Sequence, residues 1–100
     1  MLNLARIAGF DWDHGNARKN IDKHGVSQLE AEQTFIDPKL LVLADERHSG
    51  EESRFQAYGA TAAGRKLQVS FTLRQNESLI RVISARDMSR KERARYAQET

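Results

Sequence analysis

The stretch KLQVSFTL, residues 66–73, constrains this chain more than any other. Leu67, Val69, Phe71 and Leu73 alternate with Gln68, Ser70 and Thr72, the period of a strand with one apolar and one polar face. RFQAYGA precedes it across TAAGR, which turns on Gly64, and SLIRVISAR follows it across the polar loop RQNES. Connections this short pair consecutive strands antiparallel, because a parallel pair needs a much longer crossover. In RFQAYGA, Phe55, Ala57 and Gly59 face one way, and Arg54, Gln56 and Tyr58 the other. KLLVLAD, earlier in the chain, reads as a buried strand because its apolar run is unbroken. The spacing predicts a small antiparallel sheet of three to four strands.

Helices flank these strands. GFDWD is a short extended entry, and Asp13 offers an N-cap for a helix running to about His24. Ala17, Asn20, Ile21 and His24 share one face of it, and Gly25 stops it in a left-handed conformation. Ser27 and Glu30 form a capping box, with Val26 and Ala31 at the staple positions. Leu29, Gln33 and Ile36 line one side of this second helix, with Phe35 beside them, and Asp37-Pro38 ends it. A second capping box, from Ser89 to Glu92, opens a last helix to about Gln98 whose apolar side is mainly Ala94 and Ala97, with Tyr96 near. Helices kept apart from the strands imply an α+β domain. Their expected seat is the sheet face of Leu67, Val69 and Phe71, leaving the opposite face as the working surface.

At 100 residues the chain is expected to form one domain. It has no cysteine, which excludes disulfides, zinc-thiolate sites and thiol catalysis. No export signal or membrane span is expected, which points to a soluble cytoplasmic protein. His14, His24 and His48 are far apart, and no metal or cofactor motif is present. The net charge is only +2, but its distribution is uneven. From Arg74 onward seven basic residues stand against four acidic ones, so that end favours a polyanion or an acidic partner.

Four places can carry chemistry. Lys23 and His24 bring a cation and a proton-transfer group to a helix C-terminus, although that end attracts positive charge anyway and His24 lies on the apolar stripe. In RVISAR, Arg81 and Arg86 differ in parity, so an unbroken strand puts them on opposite faces. Arginines in an apolar central strand need either buried carboxylates or an anion to bind. RHSGEESRF gathers His48, Glu51, Glu52 and Arg54 in what otherwise reads as a solvated loop. SRKERAR reads as a solvated helix, yet Arg90, Lys91 and Arg93 crowd its first turn, where the helix dipole disfavours cations.

These residues also carry a resemblance. FDWD, Asn20, KHGV at 23–26, Phe35 with Asp37-Pro38, His48, Arg54-Phe55, Gly64-Arg65 and RVISAR followed by Glu and Tyr resemble the BrnT toxins of type II toxin–antitoxin pairs, over Phe10 to about Tyr96. His14 stands where that family often has proline, Asn16 where it often has lysine, and Ser53 where it commonly has a second glutamate before the arginine.

The resemblance implies a RelE-like fold: an N-terminal helix pair and a C-terminal helix packed on the sheet, over residues 10–100, with residues 1–9 as an extension. It implies a ribonuclease that stops translation. Its partners would be an RNA substrate and a BrnA-type ribbon-helix-helix antitoxin, with operator DNA reached only through the antitoxin. Without a metal or cofactor, RNA cleavage uses the 2′-hydroxyl as nucleophile, cations to stabilise the phosphate, and a base and an acid to move protons. Carried over residue by residue, Lys23 and His24 are assigned to proton transfer or phosphate contact. Arg54, Arg81 and Arg86 form the clamp, and Arg65, Arg74, Arg90 and Lys91 contact RNA. The rival reading is a non-catalytic nucleic-acid-binding module, or a degenerate toxin kept for its interaction with the antitoxin.

Overall fold

The computed structural model describes residues 3–47, 50 and 52–99. After a short 3-10 turn at Leu4–Arg6 come β1 (Gly9–Phe10), α1 (His14–His24), α2 (Gln28–Thr34), β2 (Leu41–Ala44), β3 (Phe55–Ala60), β4 (Lys66–Arg74), β5 (Leu79–Asp87) and α3 (Arg90–Glu99). The strands form one sheet in the order β1-β5-β4-β3-β2. Four of them pair antiparallel as expected, but the sheet has five strands and is mixed. The fifth is β1, which pairs parallel to β5 with Gly9 opposite Leu79 and Phe10 opposite Ile80. A two-residue strand is too short to show alternation in sequence, so GFDWD reads only as extended chain.

The helix boundaries follow the capping residues. Asp13 caps α1 by accepting from the Asn16 amide, and Gly25 ends it with φ of 64°. The Ser27–Glu30 capping box closes reciprocally, and both staple residues, Val26 and Ala31, are buried. Ser89 and Glu92 make the same exchange at α3: the Ser89 amide donates to Glu92 Oε1 at 2.8 Å and the Glu92 amide to Ser89 Oγ at 3.2 Å.

The main core lies where the alternation put it. Leu67, Val69 and Phe71 of β4, Ala57 of β3, and Ile80, Val82 and Ala85 of β5 pack with Val26, Ala31 and Phe35 from the helix pair. Phe35 is edge-on to both Phe10 and Phe71. α2 sits so close to β3 that a Cβ on Gly59 would lie 2.6 Å from the Thr34 carbonyl oxygen. α1 covers the outer edge of β5, where Asn20 Oδ1 accepts from the Ala85 amide at 3.2 Å.

Three expectations about faces are corrected. The inward side of α2 is Ala31 and Thr34 with Phe35, whereas Leu29 and Ile36 point to solvent at 63% and 80% exposure. β2 is a half-buried edge strand rather than a buried one, since among the described residues nothing pairs beyond it. α3 does not join the helix pair. Its Tyr96 packs with Tyr58, Met88, Leu41 and Leu43, on the side of the sheet opposite Leu67 and Val69. Ala94 and Ala97, taken from spacing as its apolar side, are exposed.

One carboxylate fastens α3. Asp37 Oδ2 accepts from the Tyr96 hydroxyl and from the Ala60 amide, and Oδ1 accepts from the Lys39 amide. Burial pushes the Asp37 carboxyl up, but these hydrogen bonds hold it below its ordinary 3.8. Burial and the Asp37 partner push the Tyr96 hydroxyl up to about 12. A depressed carboxyl contributes stability above its unfolded-state value and loses it as pH falls through the folded one. Tyr96→Phe should therefore cost about 2 kcal/mol at pH 7 by urea denaturation. The gap to wild type should narrow as pH falls through the depressed Asp37 carboxyl's range, because a protonated carboxyl is the weaker acceptor.

Candidate functional site

β5 decides which side chains meet. Ser70 of β4 faces Ser84 and Phe71 faces Val82, so Ile83 is an extra residue with no partner of its own. A bulge of this kind reverses the parity of everything beyond it. Arg81 lies opposite Thr72 and Arg86 opposite Gln68, both on the polar face of β4. The expectation that these arginines occupy opposite faces is thereby corrected: the strand is not unbroken, and both point away from the core.

Arg54, just before β3, joins them on that face. Arg54 and Arg86, with Asp45, Gln68, Ser70 and Ser84, line a shallow depression of about 290 Å³. Gln68 is its floor, only 2% exposed, with Nε2 donating to Ser70 Oγ at 3.1 Å. Gln56 connects the rim: its Nε2 donates to Asp45 Oδ2 at 3.1 Å, and its Oε1 accepts from the Tyr58 hydroxyl at 2.5 Å. Burial raises the Tyr58 hydroxyl pKa, so it is a donor at neutral pH.

Three arginines of this face, Arg86, Arg81 and Arg74, have carboxylate partners. Arg86 donates to Glu92 through both terminal nitrogens, at 2.7 and 3.0 Å, and to the Asp87 carbonyl at 3.1 Å. This fork holds the Glu92 carboxyl down and Arg86 up. Arg81 donates to Asp11 Oδ2 at 3.0 Å and lies 3.9 Å from Asp13 Oδ2, which ties β5 to the start of α1. Arg74, further along β4, donates to Glu52 at 2.6 Å. The Nε atoms of Arg74 and Arg81 are buried, with no hydrogen-bond partner among the described residues. Thr72 Oγ1 donates to the Ser53 carbonyl at 2.7 Å, so it is the Ser53 backbone that fastens the loop leading into β3.

The remaining candidates lie elsewhere. Lys23 is exposed and His24 half-buried at the end of α1, on the side of Arg65 and Asp87. Arg86 precedes Asp87 but turns to the other face. Arg65 has all five N–H donors engaged, by both Asp87 oxygens, Glu30 and the carbonyls of His24 and Gly25. Arg90 and Lys91 are exposed on the first turn of α3. His48 and Glu51 lie outside the described residues. Among the described residues, no three His, Asp or Glu side chains converge as metal ligands.

Sequence reasoning missed Asp45, Gln56, Gln68 and Glu92. Gln68 sat at an outward position of a clean alternation, a signal that was present. Glu92 was legible as a helix cap and as the Glu that follows RVISAR, with no sign that it meets Arg86.

A family profile described as "Ribonuclease toxin, BrnT, of type II toxin-antitoxin system" matches residues 12–92. The chain belongs to the BrnT family. The fold is also similar to the crystal structure of the Brucella abortus ribonuclease toxin BrnT, with a TM-score of 0.61 and 24% identity over 82% of this chain and 97% of that one. Among curated proteins none matches significantly. Membership of a ribonuclease-toxin family of this type implies an antitoxin partner. No helix among the described residues is long and apolar enough to cross a membrane.

In this BrnT-family chain, Arg65 is the brace between the helix pair and the end of β5. Arg65→Lys keeps the charge but cannot supply a planar fork with five donors. The variant should unfold at lower urea, by about 2 kcal/mol, which a denaturation curve measures directly.

Proposed function

We propose that this chain is a metal-independent endoribonuclease with a RelE-like domain over residues 10–100, and that it cuts RNA in the depression beside Arg54 and Arg86. The observation that carries this reading is the bulge at Ile83, which turns Arg81 and Arg86 to the face that Arg54 occupies. Guanidinium forks around a polar floor suit a phosphate passing through a charged transition state. The 2′-hydroxyl of the substrate attacks the adjacent phosphate, the bond from phosphorus to the 5′-oxygen breaks to leave a 2′,3′-cyclic phosphate, and the departing 5′-oxygen takes a proton from solvent. Arg54 and Arg86 stabilise the charge that builds there, and Arg81 supports the same clamp from its tether on Asp11. Asp45, the carboxylate that lines the depression among the described residues, accepts the proton in this reading. Lys23 and His24, on the helix side of the β5 end and away from the depression, serve the flanking RNA by phosphate contact. Arg74, Arg90 and Lys91 steer the backbone. Arg65 would do so only by giving up Asp87 or Glu30.

The partner is proposed to be a BrnA-type ribbon-helix-helix antitoxin that covers the toxin and carries the complex to operator DNA. Translation arrest in the cytoplasm follows from RNA cleavage when the antitoxin is absent.

Purified protein should cut single-stranded RNA in excess chelator, leaving a 2′,3′-cyclic phosphate, and a 2′-deoxy substitution at the cut should abolish the product. Arg86→Ala and Arg54→Ala should each lower kcat/KM by about 10²-fold with folding retained, the loss typical of removing one charge-stabilising donor. A protein that binds RNA in a salt-dependent way yet gives no product would instead be the non-catalytic module or degenerate toxin.

A further inference from the structure

Arg86 and Glu92 are joined edge to edge. Glu92 takes Nη1 and Nη2, and the second Nη1 hydrogen goes to the Asp87 carbonyl. No hydrogen bond among the described residues takes Nε, and Nη2 retains a second hydrogen. A guanidinium has two usable forks, so the Nε–Nη2 fork is the one left for an anion in the depression that Arg86 lines. Glu92 therefore holds Arg86 without occupying the edge a phosphate needs.

The holder is itself held. Glu92 also accepts from the Ser89 amide at 2.8 Å, and its helix is pinned through Tyr96 to Asp37. Its side chain is only 21% exposed, against 40% for Arg86. An arginine side chain on a strand has many rotamers, and fixing it beforehand removes an ordering cost at the moment of reaction.

We propose that Glu92 is the positioning residue of the RNA clamp: it sets the guanidinium plane of Arg86 so that the Nε–Nη2 fork meets the phosphate being cut. This rests on the reading of Arg86 as part of the cleavage site. It assigns Glu92 more than its helix-capping contact, and the two roles separate in mutants. In Glu92→Gln one oxygen can still accept from the Ser89 amide, but the amide group opposes the second Arg86 nitrogen, so the fork breaks while the cap persists. In Ser89→Ala the Glu92 amide loses its hydroxyl partner while the Arg86 fork remains.

The test measures cleavage of a single-stranded oligoribonucleotide together with thermal midpoints. Glu92→Gln should lower kcat about tenfold or more with little change in KM, and Ser89→Ala should lower the midpoint at least as far while leaving kcat unchanged. In an Arg86→Ala background, Glu92→Gln should cost nothing further, because residues acting as one unit are not additive. Equal losses of kcat in Glu92→Gln and Ser89→Ala, or an undiminished Glu92→Gln effect without Arg86, would overturn the proposal. Full activity in Glu92→Gln beside a dead Arg86→Ala would overturn it alone, leaving the cleavage site standing. Full activity in Arg86→Ala would overturn both.

Discussion

The β4–β5 ladder is the constraint on which the rest depends. It is the longest pairing in the sheet, from Leu67 opposite Asp87 to Arg74 opposite Leu79, and it contains one irregularity. Without the bulge, with Ile83 paired in regular alternation, a strand that buries Ile80 and Val82 would turn Ala85 to the polar face and Arg86 into the core. The bulge lets β5 bury Ile80, Val82 and Ala85 together and still present Arg81 and Arg86 outward. Core packing and the candidate site are therefore two consequences of one local departure from regular pairing.

The sheet is used on both sides. One side carries the helix pair and the aromatic core; the other carries α3 at one end and a polar surface over the rest. That second face is rich in arginine but is not a field of unopposed charge. Arg74, Arg81 and Arg86 lean on Glu52, Asp11 and Glu92. Half-exposed pairs of this kind contribute little to stability, so their main effect is to hold guanidinium groups in defined places. A binding surface built this way exchanges conformational freedom for geometry before any ligand arrives.

Much of this was legible beforehand. Asp13, Gly25, the Ser27–Glu30 box and the Ser89–Glu92 box mark helix ends through contacts within four residues, and each one formed. The alternation in β3 and β4 was read correctly because both neighbours confirm it. Errors came where the deciding partner was distant. Leu29 and Ile36 share a helical spacing, yet α2 turns Ala31 and Thr34 inward, with Thr34 against Gly59 of β3. The last helix docked by Tyr96 rather than by its alanines, because Asp37 and Tyr58 were waiting for an aromatic with a hydroxyl.

By itself, the sequence determined the antiparallel β2–β5 core, the three helices with their caps and the absence of thiol chemistry, since these follow from local periodicity, short connections and composition. Its motifs also carried the family resemblance that the profile match bears out. Only the tertiary structure decided that the sheet is mixed, that α3 crosses to the other face, that Arg65 is enclosed by five acceptors, and that Arg81 and Arg86 stand on one side. The physical reason is the same in each case. A one-residue change in register, or a partner some tens of residues away, leaves no mark on local spacing but reverses where a side chain points.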